Sequence, residues 1–370
     1  MAVRRARAGS PDFFFLIVLA VLVIGGLVIL SSASSDIAKV RFGDSLYHLK
    51  HQLRFGFGVG VVGFLVGYFV SLRIQEKLAM PLFLLSLVCL GLVFTGLGYS
   101  ANTESERWLQ IGPVTFQPAE FMKLTLFLFL ASWFSRRVAR AKEFVGGFLP
   151  FVTILAVTAG LIFYQPATTN AIIMCAVALI IHLLSGGRLW HTLLVFLGGA
   201  AVVAWLVLAT PYRMERIKTF FDPERDNRGS SYQIQQTLQA IGSGGITGIG
   251  FGKSTTKIKS LPEPIGDSIF AVIGEELGFI GASITVILFG ALVIRGLAIA
   301  RATSDLFGKL FVAGFSSLIG IQVFVHIGSV VGIVPFTGVP LPFVSYGGTA
   351  LAVFLTMAGI VVNISRYTKR

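Results

Sequence analysis

The chain has 370 residues, of which 55% are hydrophobic and only 13% are charged, whereas soluble proteins carry roughly a quarter charged residues. This composition, with a mean hydropathy of +0.83, excludes an ordinary soluble domain and predicts a protein that crosses a membrane several times. The formal net charge of +13 does not indicate nucleic-acid binding, because the basic residues lie in short clusters between apolar runs and no basic-aromatic face is present. Such clusters orient membrane helices and contact anionic lipid head groups.

Ten apolar runs are long enough to span a bilayer, which takes about 20 residues of helix. The first begins at Phe13, and because no small-residue cleavage site follows it, we expect a retained helix and not a signal peptide. A long polar loop, 210–267, separates the seventh run from the eighth. The sequence therefore predicts one all-α polytopic membrane domain over residues 1–370. The ten predicted spans lie near residues 13–30, 54–71, 79–98, 117–135, 147–164, 168–186, 189–209, 268–299, 308–334 and 343–365.

Lysine and arginine are unevenly distributed between the termini and short loops that the ten spans would place on the two sides of the membrane. The set that includes both termini carries 16 of these residues, and the opposite set carries five. Basic residues of short loops remain in the cytoplasm. We therefore expect both termini to be cytoplasmic and segment 210–267 to be extracytoplasmic.

Segment 210–267 holds most of the polar side chains with which this chain could do chemistry. Its last residue, Asp267, directly precedes the eighth run, where it could cap the helix N-terminus or act as a partly buried general base with a raised pKa. The residues alone leave both interpretations open. The glycine-rich stretch 242–254 fails the spacing of a nucleotide-binding loop, because Thr247 stands where a glycine is required. A backbone nest for a phosphate group and a flexible turn are the open alternatives there.

Three further features lie at or within predicted spans. Glu120 and Lys123, three residues apart, would share a helix face as an ion pair, with a structural or a functional role because charges in a membrane are costly. Segment 335–349 contains prolines and glycines that interrupt a helix, which is tolerated at membrane depth only inside protein or beside a wet cavity. It predicts a cavity wall, with a simple loop as the alternative. His326, with Gln322 one turn away, is interpreted as an interhelical hydrogen-bonding group and not a catalyst.

Five ordered motifs resemble the SEDS family (shape, elongation, division and sporulation), which includes FtsW and RodA. The motifs are Arg107-Trp108-Leu109 with Ile111-Gly112-Pro113, Phe116 to Leu124, Tyr232-Gln233 to Gly245, Leu261-Pro262-Glu263 with Asp267, and Pro340 to Gly348. The resemblance implies a peptidoglycan glycosyltransferase of the bacterial cytoplasmic membrane that polymerises lipid II and releases undecaprenyl pyrophosphate. It also implies a class B penicillin-binding protein and other divisome or elongasome membrane proteins as partners. A lipid II flippase and a non-enzymatic division scaffold are the alternative functions.

The resemblance also suggests roles for individual side chains. Asp267 occupies the place of the family's essential loop aspartate, which would deprotonate or orient the acceptor sugar hydroxyl. A divalent cation, magnesium or manganese, could neutralise the diphosphate, although the sequence shows no dedicated metal cage. The expected substrate contacts are the polar pair Glu120 and Lys123, the cations Arg107, Lys253, Lys257 and Lys259, which suit a pyrophosphate, and the motif residues Glu263, Ser345 and Tyr346.

The chain departs from the family pattern at two positions. Ala167 stands where relatives commonly carry an aspartate, so a cavity carboxylate is missing, and Ala119 replaces a frequent serine. The stretch Pro264 to Phe270 is more similar to the FtsW branch than to the RodA branch. Septal cell division is therefore favoured over the maintenance of cell shape.

Overall fold

The computed structural model of the chain describes residues 9–99, 107–112, 114–136, 141–165, 167–222 and 230–368. These residues are almost entirely helical, as the apolar runs predict. The α-helices are α1 Phe13–Phe42, α2 Tyr47–His51, α3 Val59–Phe69, α4 Leu72–Leu92, α5 Pro118–Arg136, α6 Leu149–Tyr164, α7 Thr168–Leu184, α8 Leu189–Ala209, α9 Pro211–Phe221, α10 Ser230–Gly244, α11 Thr256–Lys259, α12 Ile269–Ala302, α13 Leu306–Val330 and α14 Gly348–Ser365.

Eight helical stretches within the described residues are long and apolar enough to cross a membrane. Two more predicted spans coincide with α5, which carries buried charges, and with α7, which is shorter. The expected all-α polytopic class is confirmed, and the count of ten crossings stays a prediction. The first helix extends well beyond the predicted end at residue 30, because helix-compatible residues continue to Phe42. Gly43, with φ +71°, ends it by donating its N–H to the Lys39 carbonyl oxygen.

The core of the bundle consists of α5, α13 and α14. In α13 and in α14, two thirds or more of the most apolar 18-residue stretch of the helix is buried, whereas in α8 only 6% of that stretch is buried. Helix α8 therefore lies at the periphery of the bundle. Helix α5 must lie inside because Glu120 and Lys123 would be costly against lipid. Small residues bring α3 onto α14, since a Cβ on Gly67 would lie only 2.8 Å from the Thr356 carbonyl oxygen.

Several irregular features of the described residues were not predicted from the sequence. The first is a small antiparallel sheet before α5, made of β1 Gly98–Tyr99, β2 Trp108–Ile111 and β3 Val114–Phe116 in that order. Alternating β-formers around the Gly-Pro pair at 112 and 113 are the signal that could have indicated this hairpin. The second is a π-helical stretch, Gln52–Gly58, between α2 and α3. Such stretches are frequent at functional sites.

Helix α12 is broken at Gly278, where φ is +66° and ψ is −166°. The glycine-rich stretch 245–250 binds to this break, so the amides of Ile249 and Gly250 are already used. Neither an open phosphate nest nor an unattached flexible turn is present at these positions. Each bond is donated by a backbone N–H and accepted by a backbone carbonyl oxygen. The pairs are Ile249 to Glu275 (3.0 Å), Gly250 to Glu276 (3.1 Å), Phe279 to Gly245 (2.9 Å) and Ile280 to Ile246 (3.2 Å).

Replacing the glycine at the break should destabilise the fold. Gly278→Ala is expected to cost about 1–3 kcal/mol, because alanine disfavours this backbone conformation and its Cβ would collide with Gly248 and Ile246. Thermal unfolding of the purified protein in detergent measures the effect. Gly290→Ala is the matched control within α12, since its Cβ meets nothing within 4 Å. Equal unfolding midpoints for the two variants would contradict the strained break.

Candidate functional site

Asp267 lies in the turn that precedes α12 and is partly buried. Ser268 occupies the N-cap position of α12, and no side chain caps the helix. The capping interpretation of Asp267 is therefore wrong. The carboxylate instead faces segment 335–347, which is the part of the predicted segment 335–349 that precedes α14. A Cβ on Gly338 would lie 3.0 Å from Asp267 Oδ2. Gly338 has φ +63°, so this position suits glycine in both backbone conformation and space.

The environment of Asp267 raises its pKa from an ordinary value of 3.8 to about 6. Burial is the largest cause, because it disfavours the charged carboxylate, and the nearby negative charge of Glu263 acts in the same direction. The guanidinium groups of Arg216 and Arg107 oppose this shift. A carboxyl group with such a pKa is able to exchange protons near neutral pH, as a general base must.

The backbone just before Asp267 is held by the segment that connects α13 to α14. Ser345 Oγ donates a hydrogen bond to the Gly266 carbonyl oxygen at 2.8 Å and accepts one from Leu341 N at 2.8 Å. Tyr346 N donates to the Ile265 carbonyl oxygen, also at 2.8 Å. Because its hydroxyl is used in this way, Ser345 has contacts that favour a supporting role over the predicted direct substrate contact.

The π-helical stretch ties the same segment to the second predicted span. Gln52 Oε1 accepts a hydrogen bond from Gly347 N at 3.1 Å. The Tyr346 hydroxyl lies 2.9 Å from His51 Nδ1, and either atom can be the donor. Tyr346 therefore connects three parts of the chain, namely α2, segment 335–347 and the turn before Asp267.

Two arginines lie near Asp267. Arg216, on α9, donates a hydrogen bond to the Phe336 carbonyl oxygen at 3.3 Å. Arg107, just before β2, donates from Nε to the Gln165 carbonyl oxygen at 3.2 Å. Arg107 was predicted as a substrate contact, whereas Arg216 was not assigned a role. The sequence feature that could have indicated a role for Arg216 is the basic, amphipathic character of residues 211–221.

The remaining predicted cations differ in their surroundings. Lys257 is not on the surface of the site, because its ammonium is buried in an ion pair with Glu276 at 2.9 Å and donates to the Ser32 carbonyl oxygen at 3.1 Å. These contacts favour a structural role in place of the predicted pyrophosphate contact. Lys253 is exposed, and the side chain of Lys259 lies outside the described residues. Glu263 is exposed and has φ +46°.

Glu120 and Lys123 form the predicted ion pair, with 2.7 Å between Oε1 and Nζ. Both side chains are essentially inaccessible to solvent, so the pair does not line the surface around Asp267. Lys123 Nζ also donates to Gln322 Oε1 at 3.2 Å. The burial of both side chains favours a structural role for the pair over the predicted direct substrate contact.

Metal binding has little support from the side chains that the structure describes. Among them, no group of three or more histidine, cysteine, aspartate or glutamate residues is arranged to hold an ion. Among the described residues, Asp267 and Glu263 carry the carboxylates at the site. The divalent cation stays a prediction, which would depend on ligands supplied by the substrate.

Comparisons with known proteins cover almost the whole chain. A family model described as a cell cycle protein, for FtsW, RodA and SpoVE, matches residues 12–370. The chain is 38% identical to stage V sporulation protein E of Bacillus subtilis (strain 168), over 97% of this chain and 98% of that protein. It is 37% identical to a probable peptidoglycan glycosyltransferase FtsW of Trichlorobacter lovleyi, over 97% and 94% of the two chains.

Solved structures agree with these relatives. One match is a chain from a study of polymerization and crosslinking by a peptidoglycan synthase complex, with a TM-score of 0.80 and 29% identity over 96% of this chain and 98% of that one. Another is the rod shape determining protein RodA of Thermus thermophilus, with a TM-score of 0.71 and 28% identity over 97% and 98% of the two chains. The chain therefore belongs to the SEDS family of FtsW, RodA and SpoVE, which are polytopic membrane proteins.

Proposed function

We propose that the chain is a peptidoglycan glycosyltransferase, which polymerises lipid II into glycan strands at the outer face of the bacterial cytoplasmic membrane. The observation that carries the proposal is the partly buried carboxylate of Asp267, whose pKa is raised to about 6 and which lies near two guanidinium groups. Family membership supports the proposal, since several relatives carry the name peptidoglycan glycosyltransferase FtsW.

In the proposed reaction, Asp267 accepts the proton of the acceptor sugar hydroxyl while the hydroxyl oxygen attacks the anomeric carbon of the donor. A glycosidic C–O bond forms at that carbon, and the bond from the carbon to the diphosphate oxygen breaks. Undecaprenyl pyrophosphate leaves with the bonding electrons, and the anomeric centre is inverted. Arg107 and Arg216 lie near the carboxylate, where their N–H groups stabilise the negative charge of the leaving diphosphate.

The orientation of the chain in the membrane is part of the proposal. Both termini are cytoplasmic, and the turn of Asp267 and segment 335–347 face outward, in accord with the distribution of lysine and arginine. Lys253, Lys259 and Glu263 are proposed outer contacts of the substrate. Two of these side chains, Lys253 and Glu263, are exposed, as contact with a lipid-linked sugar in water requires.

A class B penicillin-binding protein is the proposed partner. The structural similarity to a chain of a peptidoglycan synthase complex supports a two-protein assembly of this kind. The family description as a cell cycle protein and the relatives named FtsW support a role in septal cell division over a role in cell shape. A scaffold would not require a proton-accepting carboxylate at the outer end of the bundle, and a flippase would require polar residues spread across the depth of the bilayer.

Asp267→Asn should abolish polymerisation of labelled lipid II by the purified protein with its cognate partner. The expected loss is about 100-fold or more, because the amide cannot accept the proton. Asp44→Asn is the control, since Asp44 is a partly exposed aspartate that pairs with Lys50 and is not a predicted substrate contact. Polymer gels and thermal unfolding are compared for both variants. Equal polymerisation by the folded Asp267→Asn variant and the wild type would refute the role of Asp267.

The pH dependence of polymerisation gives an independent check on the same carboxyl. The base must be deprotonated to act, so kcat/KM should rise with pH through about 6. The charge of Glu263 raises the pKa of Asp267, and Glu263→Gln should therefore move this rising limb to lower pH. Rates normalised to each variant's own maximum separate the shift from any change in substrate binding. A limb that stays in place in Glu263→Gln would contradict the assignment.

A further inference from the structure

Two side chains of the ninth predicted span reach the backbone of segment 335–347. Gln322 and His326 lie one turn apart on the same face of α13, and both are fully buried. His326 Nδ1 lies 2.6 Å from the Val339 carbonyl oxygen. Because a carbonyl oxygen can only accept, Nδ1 carries a proton and donates it to this hydrogen bond. His326 thus forms its hydrogen bond with the segment after α13 and not with another helix, so the predicted interhelical hydrogen bond is wrong.

The amide of Gln322 has only one orientation that satisfies its two neighbours. Its Oε1 faces Lys123 Nζ at 3.2 Å, and its Nε2 faces the Pro340 carbonyl oxygen at 2.9 Å. An ammonium group only donates and a carbonyl oxygen only accepts, so a flipped amide would lose both bonds. The ion pair of Lys123 with Glu120, at 2.7 Å, holds the ammonium in place.

The hydrogen bonds of Gln322 and His326 bind backbone that lies next to Asp267. The two carbonyl groups that α13 holds, those of Val339 and Pro340, directly follow Gly338. The Gly338 backbone in turn lies against the Asp267 carboxylate, since a Cβ there would lie 3.0 Å from Oδ2. The path from the buried ion pair to Asp267 therefore consists of contacts between adjacent groups.

We propose that Gln322 and His326 are positioning residues of the glycosyltransferase, which place the backbone of residues 338–340 against Asp267 by binding the carbonyl groups of Val339 and Pro340. The buried pair Glu120 and Lys123 acts through Gln322 and without touching the substrate. This inference rests on the proposed function for its kinetic readout. It makes an independent structural statement about segment 335–347.

Two variants at one position isolate the hydrogen bond. His326→Leu fills a similar volume but removes the donor, whereas His326→Asn keeps an N–H donor at the position of Nδ1. Ser316→Ala is the control on the same helix, because the Ser316 hydroxyl is buried and bonds only within α13, to the Val312 carbonyl oxygen. Each variant is purified with its partner, and its folded state is checked by thermal unfolding.

The kinetic readout is the polymerisation of labelled lipid II over a range of pH. His326→Leu should lower kcat by about 100-fold with little change in KM, since a small misplacement of a reacting group has this effect. The rising limb of its pH profile should also move to lower pH, because a loosened segment exposes Asp267 to water. His326→Asn and Ser316→Ala should retain most of the wild-type rate.

The structural readout is hydrogen–deuterium exchange of peptides that cover residues 335–347 and 261–268. Faster exchange in His326→Leu, with protection restored in His326→Asn, supports the positioning role. Unchanged exchange in His326→Leu overturns it, whatever the variant does to activity. A wild-type protein that polymerises no lipid II would refute the proposed function, and the exchange comparison would still decide the positioning role.

Discussion

The structure depends on the contact between two non-helical backbone segments at one end of a helical bundle. Residues 265 and 266, just before Asp267, are bound by Ser345 and Tyr346 of segment 335–347. Irregular backbone beside lipid is tolerated only when its polar groups are satisfied within protein, and these hydrogen bonds supply part of that satisfaction. They also fix the backbone that precedes Asp267, whose carboxylate is the proposed general base. The geometry that stabilises the fold is thus the geometry that the proposed chemistry requires.

Buried charges in this chain are placed where they hold irregular segments. Lys257 and Glu276 join α11 to α12 and to Ser32 of α1, next to the helix break at Gly278. Lys123 and Glu120 support segment 335–347 through Gln322. Burying an ion pair offers little net stability, but it fixes the partners of each group. Both pairs therefore restrict the conformation of backbone that helical hydrogen bonding cannot restrict.

The helices and the position of Asp267 could be predicted from the sequence, because apolar runs and a carboxylate at a predicted helix start are local patterns. The ion pair of Glu120 and Lys123 could also be predicted from the sequence, since a spacing of three residues places both side chains on one helix face. Lys257 was assigned to the substrate by charge alone, and its burial depends on Glu276, a partner 19 residues away that only tertiary packing brings near. The loop contact of His326 and the break at Gly278 likewise depend on distant segments, for which local periodicity carries no signal.

Asp267 and the two arginines near it form the proposed site at which lipid II reacts. A structure of the chain bound to lipid II and its partner, determined by electron cryomicroscopy in a lipid environment, tests this most directly. We expect the acceptor sugar hydroxyl to lie within about 3 Å of an Asp267 carboxylate oxygen, with the donor diphosphate beside Arg107 and Arg216. A diphosphate bound at the opposite end of the bundle, or a reacting sugar out of reach of Asp267, would contradict it.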